Sequence, residues 1–306
     1  MEMTAVVDQM LVMLILLLIG ILCARIGLID AAFNRKLSFL VLNVAQVASI
    51  LAAAMNVGSG VAAGQLLGVL GLSMLVILFL YALSFIYPLC LRAKKTERGV
   101  WQFMATFGNF GFMGFPVVSA LLGSKALFYN SLFLIPMFLL SYSLGIVLIT
   151  GGGKGSFRLK TALLCPPLLA SLLAAVLVLT RVRFPAFIVT AANTLGGMTT
   201  PGAMLVVGAS LGMMSLREVL GDWKMYVFAV ARLLAGPLLV WLVLRMFVRD
   251  TLVLRVMVLM AAMPAATNTT MLSLQYGGDE KVASRGVFLS TVFSFLTIPL
   301  LVWLLL

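Results

Sequence analysis

The chain has 306 residues, 63% hydrophobic and 10% charged, with a mean hydropathy of +1.19 and a net charge of +12. Such a composition excludes a soluble domain and makes the lipid bilayer the expected solvent. It also argues against nucleic acid as a partner, because the basic residues sit mostly in short connections between apolar runs, where they set topology.

Hydropathy and charge breaks give an all-α polytopic membrane protein of ten transmembrane helices. The spans are expected at Thr4 to Ala24, Leu37 to Met55, Leu66 to Leu91, Gly99 to Leu122 and Ala126 to Thr150. They continue at Thr161 to Thr180, Pro185 to Met213, Met225 to Val248, Thr251 to Tyr276 and Gly286 to Leu306. The first stretch carries Glu2 and Asp8 in place of a basic n-region and is followed by Arg25, so it reads as a retained span and not a secretion signal.

The fourth span holds the run Gly108-Asn109-Phe110-Gly111-Phe112-Met113-Gly114-Phe115-Pro116 at its centre. Glycine disfavours a helix interior by about 1 kcal/mol and proline by about 3 kcal/mol, so this span is expected to break. The ninth span has a second such stretch, Met263-Pro264-Ala265-Ala266-Thr267-Asn268-Thr269-Thr270, about 155 residues later. In hydrocarbon, freed backbone groups must find protein partners or line a polar cavity. Interrupted segments at matching places in two halves point to a transporter's substrate site.

The connections after odd-numbered spans carry fourteen lysines and arginines and those after even-numbered spans six. Odd connections are therefore expected in the cytoplasm, with both termini outside. The linker Gly151 to Arg158 follows the fifth span and divides the chain into residues 1–150 and 151–306. Each half has five spans, so the second enters with opposite polarity, as an inverted-topology repeat does. Counting back fourteen residues from Gly123 and from Gly278 reaches Asn109 and Pro264, which supports the correspondence.

Asn109 and Asn268 lie inside the interrupted segments, where an amide either satisfies freed backbone groups or bonds a substrate carboxylate. Pro116 and Pro264 are expected to hold the backbone open so that half-helix N-termini face the site, and Gly108, Gly111 and Gly114 form a small-residue ridge. Arg232, about eight residues inside the eighth span, is too deep to reach the surface readily; it either bonds carbonyls of the broken helices or shapes the field felt by an anion. Asn43, Gln46 and Ser49 in the second span match Thr199, Thr200 and Pro201 in the seventh as polar points that serve as interhelical glue or ligands. No acid is expected at the midplane, so the furniture of amides, hydroxyls, helix N-termini and one arginine favours an anion. With no histidine, no phosphate loop, no clustered aspartates and three separated cysteines, neither an enzyme nor a metal site nor a cofactor is expected.

These residues carry a resemblance to the auxin efflux carrier family. Its motifs are Gly108-Asn109 with Met113-Gly114-Phe115-Pro116, Arg232-Leu233 with Gly236-Pro237, and Ala261-Ala262-Met263-Pro264 through Tyr276-Gly277 into Ser290-Thr291 and Ile298-Pro299. The resemblance implies two inverted five-helix repeats with crossover helices four and nine broken. Helices one, two, six and seven would form a dimerising scaffold, and three to five with eight to ten a transport domain moving in an elevator-like way. It implies a substrate carboxylate near Asn109, with Asn43, Gln46 and Tyr142 as the nearest matches to the other pocket residues. Two departures alter the pocket wall. Val44-Ala45-Gln46-Val47 stands where bacterial relatives carry a proline, and a single proline precedes Thr267-Asn268-Thr269.

The expected function is a secondary transporter of a small organic anion, such as malate, malonate or an auxin-like acid, in the cytoplasmic membrane. Asn109, Asn268 and Thr269 would hold the carboxylate, and a homodimer is expected. A sodium-coupled symporter of the bile-acid type and a non-transporting membrane receptor are the alternatives.

Overall fold

A computed structural model describes residues 3–57, 62–151, 163–182, 184–215 and 221–305. Among these the chain is helical, broken by turns and by one isolated antiparallel bridge. The first half runs α1 (Met3–Arg25), α2 (Ala31–Leu40), a π-helical turn (Val41–Ala45), α3 (Gln46–Val57), α4 (Ala63–Ser84), α5 (Ile86–Cys90), α6 (Arg98–Thr106), α7 (Gly114–Leu140), a second π turn (Ser141–Gly145) and α8 (Ile146–Thr150). The second half runs α9 (Pro166–Thr180), α10 (Ala186–Gly197), α11 (Thr199–Gly212), α12 (Trp223–Val230), a third π turn (Ala231–Ala235), α13 (Gly236–Leu244), α14 (Thr251–Ala262), α15 (Asn268–Tyr276) and α16 (Glu280–Leu305). Six described helical stretches are long and apolar enough to cross a membrane.

Aspartates start several of these helices. The carboxylates of Asp30, Asp222, Asp250 and Asp279 accept from the backbone N–H groups of Phe33, Lys224, Leu252 with Val253, and Val282. An acceptor there satisfies donors that a helix start leaves orphaned and suits its positive dipole end. This corrects two expected boundaries. Helix α2 begins at Ala31 and not near Leu37, and α16 at Glu280 and not Gly286. The charged residues taken as connection, Arg35 with Lys36 and Lys281 with Arg285, are the first turns of helices whose apolar length follows.

The expected connection at Gly123 is a kink with φ +78° inside α7, and Gly277 caps α15 with φ +75°. Glycine takes this left-handed backbone without steric cost. Gly151 ends α8 in the same conformation, at φ +64°. The rest of the expected linker, residues 152–158, lies outside the described residues, as do Glu2, Lys160, Arg183 and Arg217.

The described chain forms two compact units. The first comprises Met1–Leu72, Gly111–Ile135 and Leu164–Met213; the second comprises Ser73–Phe110, Pro136–Leu163 and Met214–Leu306. In the first unit, Met10, Met13 and Leu17 of α1 are buried, three or four residues apart, and Gly20 continues the stripe. Leu11, Ile15, Leu18 and Leu22 on the other faces are exposed, as a bilayer permits. The stripe meets α11 so closely that a Cβ on Gly20 would lie 2.6 Å from the Leu205 carbonyl oxygen, and one on Gly208 would fall on that of Leu17. Small residues allow such backbone approach where lipid offers no hydrophobic drive for association.

In the second unit, α16 packs on α6, α12, α14 and α15. Its buried face carries Ser290, Thr291, Ser294 and Thr297, while Val292, Leu296, Leu300 and Trp303 are exposed. Val287, Leu289, Ile298 and Leu301 are buried among these hydroxyls, and the large apolar groups on the exposed face suit a lipid surround. Beside it, α8 meets glycines on two sides. A Cβ on Gly99 would strike the Leu148 carbonyl, and one on Gly278 would come within 2.9 Å of Ile149 Cγ2.

Candidate functional site

The start of the first interrupted segment, Gly108 to Phe110, meets the second, at Pro264 to Ala266, inside the second unit. After α6 the chain leaves helical geometry at Phe107, and after α14 at Met263, both extended. Gly108 and Ala265 form the antiparallel bridge. The Asn109 N–H donates to the Pro264 carbonyl at 2.7 Å, and the Ala266 N–H to the Phe107 carbonyl at 3.1 Å. Each break thus satisfies part of the other, which is how interrupted backbone survives away from water.

Arg232 fixes this crossing. It is fully buried in the third π turn, with Nε donating to the Met104 carbonyl at 3.3 Å and Nη1 to the Ala261 carbonyl at 2.6 Å. Both carbonyls belong to the last turns of half-helices, α6 and α14, where the final C=O groups lack helical partners and the dipole is negative. One guanidinium therefore caps two helix ends. Of the two roles open from the sequence, carbonyl bonding is the one made by its Nε and Nη1. The Nη2 atom is buried without a hydrogen-bond partner among the described residues, and lies 3.2 Å from where a Gly108 Cβ would stand. Glycine at 108 also spares the Phe110 ring, whose Cε1 would be 2.7 Å from that Cβ.

Ser290 supplies the support that sequence reasoning missed. Its hydroxyl accepts from the Ala265 N–H at 3.1 Å and donates to the Gly286 carbonyl at 2.6 Å. Ser290-Thr291 was visible as a motif, but nothing in it announced a partner 25 residues earlier. Ser290→Ala should lower stability by about 1–3 kcal/mol, the cost of leaving a buried donor unmet. Thermal unfolding of the purified protein measures this, and an unchanged unfolding temperature would mean that the Ala265 N–H has another acceptor.

The expected site residues divide between the units. Asn109 is 3% exposed beside the bridge, and Asn268 and Thr269 open α15. Asn268 Oδ1 is buried without a hydrogen-bond partner among the described residues, whereas the Thr269 hydroxyl donates to the Ala266 carbonyl at 2.6 Å. Tyr142 lies in the second π turn, whose Gly145 packs against the Phe103 and Phe107 rings at the approach to the first break. These four belong to the second unit, together with Gly108, Pro264 and Arg232. Asn43, Gln46, Gly111, Gly114 and Pro116 belong to the first. Asn43 Nδ2 donates to the Phe39 carbonyl of its own helix at 2.9 Å. Gln46 is 1% exposed and has an Nε2 with no partner among the described residues; a Gly111 Cβ would lie 3.4 Å from it. Pro116 stands in the first turn of α7, where a missing N–H removes no intrahelical bond.

A cavity of about 180 Å³ opens within the first unit. Its wall takes residues from α3, from α7 and from the junction of α10 with α11, among them Ser49, Asn56, Ser119, Asn193 and Thr199. Ser49 and Thr199 were flagged from sequence; Asn56, Ser119 and Asn193 were not, because they come from distant stretches without a shared motif.

The sequence matches the membrane transport protein family over residues 5–158 and again over 155–302. It is 26% identical to an uncharacterized transporter of Methanocaldococcus jannaschii, with 98% of each chain covered. It is 32% identical to an uncharacterized transporter of Methanothermobacter thermautotrophicus over 64% of each chain.

Proposed function

The chain belongs to the membrane transport protein family, that of the auxin efflux carriers, and from that premise we propose that it carries a small organic anion across the cytoplasmic membrane. The observation that supports this most is the crossing of the two broken segments, held by Arg232 and Ser290. Beyond it, α7 and α15 begin afresh, so two helix N-termini follow the crossing in sequence. Helix N-termini favour negative charge. No acidic residue occurs in either interrupted segment, so a cation would find no countercharge there.

In this reading the carboxylate is held beside Asn109, with Asn268 completing the site through its amide. Thr269 already donates to its own turn, so its hydroxyl contributes as an acceptor. Asn43, Gln46 and Tyr142 line the path. The ten spans form two inverted repeats, residues 1–150 and 151–306, and the two family matches meet at residues 155–158, inside the expected linker. Alternating access comes from spans three to five and eight to ten moving in an elevator-like way against spans one, two, six and seven of a homodimer. Both termini face outward, as the basic connections favour.

The test is flux into proteoliposomes of labelled malate, malonate, succinate, pyruvate and indole-3-acetate, with imposed sodium, proton or voltage gradients. Saturable movement of one acid is expected. Asn109→Ala should cut it by about tenfold or more, the scale of one hydrogen bond to a charged group, without changing the elution profile of the purified protein. Equal flux through the variant would remove Asn109 from the site, and no flux of any acid would remove the anion reading.

A further inference from the structure

One face of α16 changes from basic to apolar along its length. Lys281, Arg285, Val292, Leu296, Leu300 and Trp303 recur at helical spacing and fall within about 100° of one another around the axis. The four apolar members are exposed, as is Lys281. Arg285 and Trp303 bound the apolar part and stand about 27 Å apart at 1.5 Å per residue, close to the roughly 30 Å of a hydrocarbon core. This sets Arg285 at headgroup level on one side and Trp303 near the opposite interface, where tryptophan collects. Helix α12 supports the same level. A Cβ on Gly286 would lie 3.8 Å from Met225 Sδ, so the first turn of α12 stands beside the turn that holds Arg285. In that first turn Trp223 is exposed, and Lys224 Nζ donates to the Arg92 carbonyl at 3.3 Å. Exposed tryptophan beside lysine belongs to the membrane–water boundary.

The two basic residues of this face lack acids. The Asp279 carboxylate accepts from the Val282 N–H, and Glu280 stands about 100° round the helix from Lys281. Neither Lys281 nor Arg285 is ion-paired among the described residues. Arg285 Nε is buried with no hydrogen-bond partner among them, whereas buried polar nitrogens ordinarily meet an acceptor. A guanidinium fork matches a phosphate through two parallel bonds. We propose that this face of α16 binds an anionic phospholipid. Its headgroup phosphate accepts from Arg285 Nε and one Nη, Lys281 adds charge, and an acyl chain lies along Val292, Leu296 and Leu300. The apolar run beyond the basic pair favours a lipid over a free phosphate. A zwitterionic headgroup brings its own cation towards the two basic residues and binds less well. The site goes beyond the transport reading and does not depend on it.

The test is thermal unfolding of the purified full chain in detergent, titrated with phosphatidylglycerol, with phosphatidylcholine of the same chains, or with inorganic phosphate. A ligand of the native state raises the unfolding temperature according to its occupancy. Phosphatidylglycerol should raise it and phosphatidylcholine should do so far less. Arg285→Gln should need about tenfold more phosphatidylglycerol for the same shift. Arg285→Lys should fall between, because an ammonium keeps the charge without the fork. Arg249→Gln removes the same charge from the exposed connection before α14 and should titrate like the wild type. Equal weakening in Arg285→Gln and Arg249→Gln would reduce the effect to general charge attraction and overturn the site, as would equal shifts with the two lipids. A shift of the same size from inorganic phosphate overturns the lipid assignment. If Arg285→Gln does not elute as a single species, Lys281→Gln at its exposed position decides. About fivefold weakening is then expected, and an unchanged titration overturns the proposal.

Discussion

Arg232→Leu should yield a protein that unfolds far below the wild type and no longer transports. The substitution strands the Met104 and Ala261 carbonyls, both bonded by the guanidinium in the buried crossing. Each unmet buried acceptor costs about 1–3 kcal/mol, so the pair costs about 2–6 kcal/mol, against a total stability of about 5–15 kcal/mol for a typical folded protein. The loss also leaves the negative ends of α6 and α14 near one another without the cation between them. Arg232→Lys keeps the charge, but a single ammonium lacks the planar fork that serves two carbonyls at once, so its unfolding temperature should fall between the two. Thermal unfolding in detergent with size-exclusion chromatography measures the series. Wild-type behaviour in Arg232→Leu would show that the crossing stands without the guanidinium.

Gly208→Leu is the second large effect expected, in a different place and by a different cause. Even the Cβ of an alanine would fall on the Leu17 carbonyl, and it would come within 3.1 Å of the Gly20 Cα. Overpacking of this kind costs about 1–3 kcal/mol for the first extra carbons, and a leucine forces α1 away from α11 outright. Loss of monodisperse protein is the expected result. Gly197→Ala, on the preceding helix, is the control, because its Cβ meets nothing within 4 Å. If Gly208→Leu behaves like Gly197→Ala, α1 and α11 do not depend on this contact.

Much of the helical content was legible in the sequence because long apolar runs have few other solutions in a bilayer. The breaks at Gly108-Asn109 and at Pro264 were legible for the same reason, since glycine, asparagine and proline in such runs stand out. What joins the breaks was not. The bridge of Gly108 to Ala265 depends on two stretches finding each other across more than 150 residues of chain. Helix starts were misread at Ala31 and Glu280 because charge marks the expected membrane edge, while a capping carboxylate marks the first turn. The cavity left no trace in any single stretch. Gly196 and Gly197 look alike in sequence, yet a Cβ on the first would lie 2.8 Å from the Ser49 Cα and one on the second would meet nothing.

The three π turns carry a consequence for how the length of this chain can change. Asn43, Tyr142 and Arg232 each stand in one of them. A π turn holds one residue more than the regular winding around it, while an ordinary helix turns about 100° per residue. The surplus residue is absorbed locally, so α3, α8 and α13 keep the faces they present. Losing one residue inside Val41–Ala45, Ser141–Gly145 or Ala231–Ala235 would restore regular winding and leave the following helix in phase. The same deletion a few residues later, within α3, would swing everything beyond it by about 100°, carrying Asn56 off the cavity wall. Each of these three short stretches should therefore tolerate the loss of one residue, provided that Asn43, Tyr142 and Arg232 themselves are kept.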